Sequence, residues 1–291
     1  MSGVFNVKVI VYESGLVEVR HYHTAIGAQF LDVSEFELEE MKLQGMLDDI
    51  CRPEVVFNPF SEKKELIPTF DQLQLAEMRK MRSLNVSYRR TINELYKLTR
   101  QCKWEYFVTL TFSPEVVDRY DYALCMRKAN KWFNNQHRYA VDLQYLFVPE
   151  QHEDGAWHIH GLLAQVDEMV FIDSGKKAKN KTIYNLGGWK FGFSTATKVD
   201  DTHKVASYIT KYITKDICAV SKGKKRYYRS QNIPTPKEED FIVEGSEYGS
   251  FIEKLEDSLG VVLDYEKTSS GFINVDYKYY IVKENEQSGT K

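Results

Sequence analysis

The chain has 291 residues, of which 43% are hydrophobic and 28% are charged. This composition is typical of a globular protein, and the length suits one catalytic domain with additions at both ends, because compact domains usually contain about 100–200 residues. No apolar run approaches the roughly 18 residues of a membrane span, and the N-terminus lacks the layout of a secretory signal. We therefore expect a soluble protein of the cytosol with no membrane partner.

The net charge of −3 conceals an uneven distribution. Residues 176–229 contain fourteen Lys or Arg against three Asp, a local net charge of +11, so the rest of the chain carries −14. A segment this basic attracts phosphate groups, which favours nucleic acid as the partner. The alternative is a plain solvated surface, although such surfaces more often interleave both signs of charge.

The elements are predicted from hydrophobic periodicity and from the positions of Gly and Pro. In chain order they are a hairpin over the first thirty residues, a short helix and an irregular linker over 35–70, an Arg-rich helix over about 71–102, a strand at 106–113, a helix over 118–136, strands at 143–151 and 157–165, one or two strands over 183–199, a helix over about 203–220, a basic loop to 229, a short helix near 249–258 and a strand near 272–282.

The segment 147–163 predicts a metal site on a hairpin. If the chain turns at residues 153–155, Glu150 lies opposite His158, and His160 follows two residues later on the same face of the sheet. One carboxylate and two imidazoles with open positions suit Mg²⁺ or Mn²⁺, which must also accept a phosphate oxygen. The alternative is that both histidines are only polar residues on an exposed strand face. His152 lies at the loop end and is interpreted as a solvated neighbour.

The segment 206–216 contains the tetrad YITK twice in succession. On a helix, an apolar stripe separates from a second face of polar groups, which are Lys204, Tyr208, Lys211, Tyr212 and Lys215. A phenol with a pKa near 10 is a weak nucleophile until neighbouring cations stabilise its phenolate. Two tyrosines one turn apart could therefore act in turn on one phosphate. The alternative is an amphipathic helix whose tyrosines and lysines merely cover neighbouring surface.

Three motifs in this order resemble those of the HUH superfamily of rolling-circle replication initiators: YFVTLTF (106–112), HIHG (158–161) and SYITKYITKD (207–216). The tandem tyrosine pattern is similar to that of microvirus gene A proteins, and the core resembles initiators of filamentous phages, of the gene II kind, and of plasmids. The resemblance implies an α+β fold with a central antiparallel sheet of about five strands. The domains implied are an N-terminal extension of unknown role (1–70), an Arg-rich linking helix (71–103), the endonuclease (104–229) and a C-terminal extension (230–291).

The resemblance also implies roles for individual residues. Glu150, His158 and His160 would bind a divalent Mg²⁺ or Mn²⁺ ion. The catalytic residues implied are the nucleophiles Tyr208 and Tyr212 with the assisting Lys211 and Lys215. The basic residues expected to contact DNA are Lys204, Lys222, Lys224, Lys225, Arg226 and Arg229. Trp157 and Trp189 are interpreted as packing residues.

The implied reaction is nicking and rejoining of one strand at an origin, with a 5′-phosphotyrosine and a free 3′-hydroxyl as intermediates. Single-stranded or supercoiled origin DNA would be the substrate in the cytoplasm of a bacterial host. Because the sequence contains no GxxxxGK[ST] motif, we expect a host helicase and polymerase as partners. Two alternatives stay open: a mobilisation relaxase or single-strand transposase of the same superfamily, and a catalytically idle origin-binding protein.

Overall fold

The computed structural model describes residues 4–27, 54–58, 63–67, 87, 90–178, 180–200, 224–270 and 274–283. Over these ranges the protein is α+β, as predicted, with fourteen strands and three helices. The strands are β1 (Val4–Val11), β2 (Leu16–Gly27), β3 (Glu54–Asn58), β4 (Lys63–Ile67), β5 (Tyr106–Thr111), β6 (Gln144–Gln151), β7 (Trp157–Ala164), β8 (Phe171–Ala178), β9 (Lys181–Leu186), β10 (Ser194–Lys198), β11 (Tyr228–Arg229), β12 (Lys237–Phe241), β13 (Val261–Ser269) and β14 (Val275–Val282). The helices are α1 (90–101), α2 (Tyr122–Gln136) and α3 (Tyr248–Leu259).

The chain divides into two compact units. The first unit comprises Met1–Ile10, Val17–Arg90 and Glu238–Lys291, and it holds a five-stranded sheet in the order β12-β1-β2-β14-β13. Lys8 of β1 is buried, and its ammonium lies 2.9 Å from Glu238 and 3.5 Å from Asp240. A buried ammonium needs such anionic partners to offset its loss of hydration. This pairing ties β12 to the N-terminal hairpin.

The second unit comprises Val11–Leu16 and Thr91–Lys237, and it holds a seven-stranded sheet in the order β11-β6-β7-β5-β10-β9-β8. The prediction of one central five-stranded sheet is therefore wrong. Two edge additions account for the extra strands here, because β8 pairs with β9 at one edge and the two-residue β11 pairs with β6 at the other. Strand β8 has the sequence FIDSGKKA and is mostly exposed, so it lacks the apolar alternation by which strands are recognised.

The helix α2 covers one face of the seven-stranded sheet. It begins at the cap Asp121, whose side chain accepts a hydrogen bond from the backbone N–H of Leu124 at 3.1 Å. Its buried residues recur at helical spacing and meet inward-facing residues of β5, β6, β7 and β10 in one cluster. Trp157 and Trp189 belong to this cluster, which confirms that both are packing residues. The chemistry must therefore use the opposite face.

Other elements agree with the sequence in part. The hairpin β1–β2, the helices α2 and α3 and the strand β14 are confirmed with small shifts at their ends. The predicted linker over 35–70 instead contains the two paired strands β3 and β4, since its prolines stand beside the strands rather than within them. Of the helix predicted over 71–102, the structure describes 87 and 90–101 as helical. The helix predicted over 203–220 lies outside the described residues.

The aromatic centre of this core yields a stability prediction. Phe133 is fully buried and stacks on Phe147 and Tyr145, with ring centroids 4.7 and 4.4 Å away. We expect Phe133→Ala to lower the free energy of unfolding by about 3–5 kcal/mol, because it removes buried apolar area and leaves a cavity. Urea denaturation followed by near-UV circular dichroism measures the change. The exposed neighbour Asn134→Ala is the control, and equal losses in both variants would contradict the packing described.

Candidate active site

The strands β6 and β7 bring the predicted metal ligands to one face. In their register Glu150 pairs with His158 and Val148 pairs with His160, which confirms the predicted alignment. The chain turns through residues 152–156, where Gly155 has φ +86° and its N–H donates to the carbonyl of His152 at 2.8 Å. Since side chains alternate along a strand, the carboxylate and both imidazoles project from the face opposite α2.

His160 is held firmly on this face. It is buried, its Nε2 donates a hydrogen bond to Oε2 of Glu150, and its Nδ1 lies 3.1 Å from the hydroxyl of Thr109 on β5. The ring also stacks on Phe107, with centroids 5.9 Å apart. A partner on Nδ1 is the usual means of fixing the orientation of a ligating imidazole. Glu150 and His160 are thus oriented toward each other before any ligand binds.

His158 lies in a different environment. It is half-buried and stacks on His152 across a centroid distance of 5.3 Å. Burial lowers the pKa of His158, and the adjacent His152 and His160 lower it further, whereas Glu150 raises it. The neutral imidazole is therefore the favoured form near pH 7, which is the form that binds a metal.

The three groups fit a divalent ion by chemistry and by face, but they are not fully assembled. Among the described residues, Glu150, His158 and His160 do not form a group in which one ligand atom of each lies within 4.8 Å of the others. Glu150 and His160 are in contact, so the incomplete member is His158, which stacks on His152. Turning the His158 ring toward Glu150, directly opposite it, would complete the set.

A row of side chains crosses four strands at the open end of this face. Thr111 on β5 pairs with His158. Phe193 immediately precedes β10, where its carbonyl accepts from the Thr111 N–H and its own N–H donates to the Thr111 hydroxyl. Residues opposite one another in a sheet share a face, so the row runs Phe193, Thr111, His158, Glu150. The Phe193 side chain is 81% exposed, and a large aromatic ring in water beside candidate metal ligands is unusual.

Gly192 allows Phe193 to reach this position. A Cβ at Gly192 would lie 2.3 Å from the carbonyl oxygen of Thr111, so any other residue would push the chain away from β5. The backbone on both sides is anchored, since Ser113 donates to the carbonyl of Phe191 at 2.8 Å and Thr111 donates to that of Phe193 at 2.9 Å. The exposed ring is therefore presented by a fixed backbone.

Sequence reasoning missed three residues of this site, Thr109, Thr111 and Phe193. The two threonines alternate in the motif TLTF, so their parity with the histidines was available once β5 was paired with β7. For Phe193 the signal was weaker. It lies in the run KFGFS, where only the tight approach required at Gly192 separates it from a packing aromatic.

The basic segment is described from residue 224 onward. Lys224 lies over the ring of Tyr122 at 4.9 Å, and the guanidinium of Arg226 donates to Thr91 at 3.2 Å. Arg229 is exposed and pairs with Leu146, so its side chain shares the face of Glu150. Lys225 lies 5.7 Å from the ring of Tyr228.

The tyrosines of this segment take part in packing. Tyr228 stacks on Phe147 with centroids 4.8 Å apart, on the α2 side of the sheet. Burial raises the pKa of Tyr227 to about 12, and Glu94 contributes to the rise. Neither ring shares the site's row, so Phe193 is the better platform for a base.

The remaining predicted residues lie outside the described part of the chain. They are Lys204, Tyr208, Lys211, Tyr212, Lys215 and Lys222. Their predicted roles stay predictions.

The environment of His158 predicts how it titrates. We expect its pKa to fall below 6.5 in the folded protein, and His152→Ala to raise it part of the way back by removing a neighbouring positive charge. Because this folded-state pKa lies below the unfolded one, the unfolded chain binds more protons and stability decreases as the pH falls through about 6.5. NMR titration of the histidine rings measures both shifts. A pKa at or above 6.5 for His158 would contradict the described burial.

None of the helices in the described ranges has the length and apolar character needed to cross a membrane. Neither a curated protein nor a solved structure matches the chain. A family model described as replication-associated protein ORF2/gene II protein matches residues 105–217. These residues include β5, the hairpin of Glu150, His158 and His160, and the tandem tyrosine motif. Residues 105–217 therefore carry the segment typical of this replication-associated protein family, which confirms the predicted resemblance to rolling-circle replication initiators.

Proposed function

We propose that the protein is the endonuclease that starts rolling-circle replication by nicking, and later rejoining, one DNA strand at an origin. The observation that carries this proposal is the face shared by Glu150, His158 and His160 within the segment that matches a replication-associated family. A carboxylate and two imidazoles at an open sheet end suit phosphate chemistry better than a structural role, because they are costly to leave partly dehydrated without a partner.

The ion expected here is Mg²⁺ or Mn²⁺. Glu150, His158 and His160 would hold it, and when bound it supplies polarisation of the scissile phosphate. Thr109 supports this site by fixing the His160 ring through Nδ1. The lowered pKa of His158, which results mainly from burial, keeps its ring nitrogen available as a ligand.

The nucleophiles of the proposed reaction are Tyr208 and Tyr212. The phenolate oxygen of one tyrosine attacks the phosphorus, the bond from phosphorus to the 3′-oxygen breaks, and that oxygen leaves as a free 3′-hydroxyl after taking a proton. The product is a 5′-phosphotyrosine that conserves the bond for rejoining. Lys211 and Lys215 would stabilise the phenolate and the charge on the phosphate. A second tyrosine one turn away can attack the next junction while the first still holds its strand.

The DNA strand is proposed to follow the row from Phe193 to Glu150. A base next to the scissile phosphate stacks on the exposed ring of Phe193, since aromatic platforms bind single strands without needing a particular sequence. Arg229, on the same face, contacts the backbone together with Lys204, Lys222, Lys224, Lys225 and Arg226. The net charge of +11 over residues 176–229 supports this course.

Covalent capture tests the reaction. With labelled origin-type single-stranded DNA and Mn²⁺, the wild-type chain is expected to form a protein–DNA adduct, and the variant carrying both Tyr208→Phe and Tyr212→Phe is expected to form none. Each single variant should still cleave but fail to complete alternate rounds of cutting and rejoining. His158→Ala with His160→Ala should slow adduct formation by about 100-fold or more, because Lewis-acid stabilisation amounts to several kcal/mol. Denaturing gel electrophoresis measures the adduct.

Tyr139→Phe is the matched control, since Tyr139 is 75% exposed in the loop after α2 and outside the row. Wild-type binding to origin DNA without an adduct would favour the idle origin-binding protein. Transfer of a strand to a second DNA molecule without recircularisation would favour a relaxase or transposase. An adduct that survives in the double tyrosine variant would refute the assignment of the nucleophiles.

The role of Phe193 is tested by binding. We expect Phe193→Ala to weaken single-stranded DNA binding by about 5- to 150-fold, because stacking on an aromatic ring contributes about 1–3 kcal/mol per base. Phe193→Trp should retain affinity, and fluorescence anisotropy with a short labelled strand measures both. Tyr139→Ala removes another exposed ring away from the row and should change affinity little. Equal losses in the two alanine variants would show that Phe193 has no special position.

A further inference from the structure

A second group of metal-ligand side chains lies in the first unit. His21 and His23 stand two residues apart on β2 and share a face of the five-stranded sheet. Asp276 projects from the neighbouring strand β14, where the carbonyl of Asn274 accepts a 2.9 Å hydrogen bond from the N–H of His23. The Oδ2 atom of Asp276 lies 2.8 Å from Nε2 of His23 and 3.8 Å from Nδ1 of His21.

These three side chains already have the spacing of a coordination sphere. One ligand atom from each lies within 4.8 Å of the other two, and among the described residues this is the group that meets that condition. Bond lengths of about 2.0–2.2 Å and tetrahedral angles place the ligands of a zinc ion about 3.3–3.5 Å apart. The observed separations of 2.8 and 3.8 Å stand on either side of that range, so rotations of the side chains alone would admit the ion.

Neighbouring groups orient the ligands. The hydroxyl of Thr268 donates to Oδ1 of Asp276 at 2.8 Å, which leaves Oδ2 directed at the histidines. The ring of His21 stacks on Tyr248, with centroids 4.0 Å apart and planes at 17°. Partners of this kind, outside the ligands themselves, are what hold metal ligands in place in known sites.

The group is also accessible to an ion. The side chains of His21, Asp276 and His23 are 17%, 31% and 46% exposed, so one side of the site is open to water. A fourth position could therefore be filled by a water molecule. Two imidazoles and one carboxylate suit zinc and its transition-metal neighbours, whose affinity for nitrogen ligands exceeds that of Mg²⁺.

We propose that His21, His23 and Asp276 bind a divalent ion of the zinc class that fastens β2 to β14. The ion joins the N-terminal hairpin to the C-terminal strand through side chains, in addition to the backbone hydrogen bonds between these strands. It serves the stability of the first unit and takes no part in DNA cleavage. The inference does not rest on the proposed nicking reaction.

The experiment uses the full chain freed of metal by a chelator, in a His158→Ala, His160→Ala background that removes the other candidate site. Zinc chloride is titrated into this protein in competition with a chromophoric chelator, and bound zinc is counted by mass spectrometry of the metal. We expect one zinc ion per chain and a higher melting temperature with zinc, because an ion that binds only the folded state stabilises it. X-ray absorption at the zinc edge should show two histidine ligands.

His23→Ala and Asp276→Asn should each abolish this binding, and Thr268→Val should weaken it about 10- to 100-fold by releasing the carboxylate. Thr268 is exposed, so this variant tests the site even if a ligand variant fails to fold. His152→Ala is the matched control, since His152 lies 3.6 Å from Asp154 as another histidine–aspartate pair. No zinc in the background protein would mean an ion pair only, and zinc that survives both ligand variants would lie elsewhere; either result overturns the proposal.

Discussion

The alternation of side chains across the seven-stranded sheet is the constraint on which the candidate active site depends. On one face the strands contribute apolar residues to the core beneath α2, among them Val108, Phe147 and Ile159. Every second residue is thereby committed to packing, and its neighbours are available for chemistry on the other face. Glu150 and His158 face each other for this reason. A slip of one residue in the register would exchange the two sets and destroy both the core and the site.

This constraint also explains what could be predicted from the sequence. In a hairpin the turn fixes the register, so the parity of Glu150, His158 and His160 follows from local sequence alone. The edges of the sheet were not predictable in this way, because the mostly exposed β8 has no buried face to impose an apolar pattern. The position of Phe193 depends on a close approach between Gly192 and Thr111, which only the paired strands reveal.

The two His-x-His pairs at 21–23 and 158–160 illustrate the same limit. Both lie on strands, and each has a carboxylate on the adjacent strand. In the second pair the carboxylate of Glu150 is ten residues from His160, within one hairpin, and local reasoning finds it. In the first pair Asp276 is 253 residues from His23. Periodicity carries no information over such a distance, so HYH at 21–23 had no visible partner in the sequence.

The five-stranded sheet has a consequence for how the chain is made. Its strands come from residues 4–27 and from residues after 236, and the segment that forms most of the second unit lies between them. During synthesis the β1–β2 hairpin leaves the ribosome first, but both strands that flank it in the finished sheet are translated much later. The hairpin must therefore wait with two open edges while the second unit folds, and open edges are the places where strands of other molecules add. Translation of residues 237–282 closes both edges and completes the sheet.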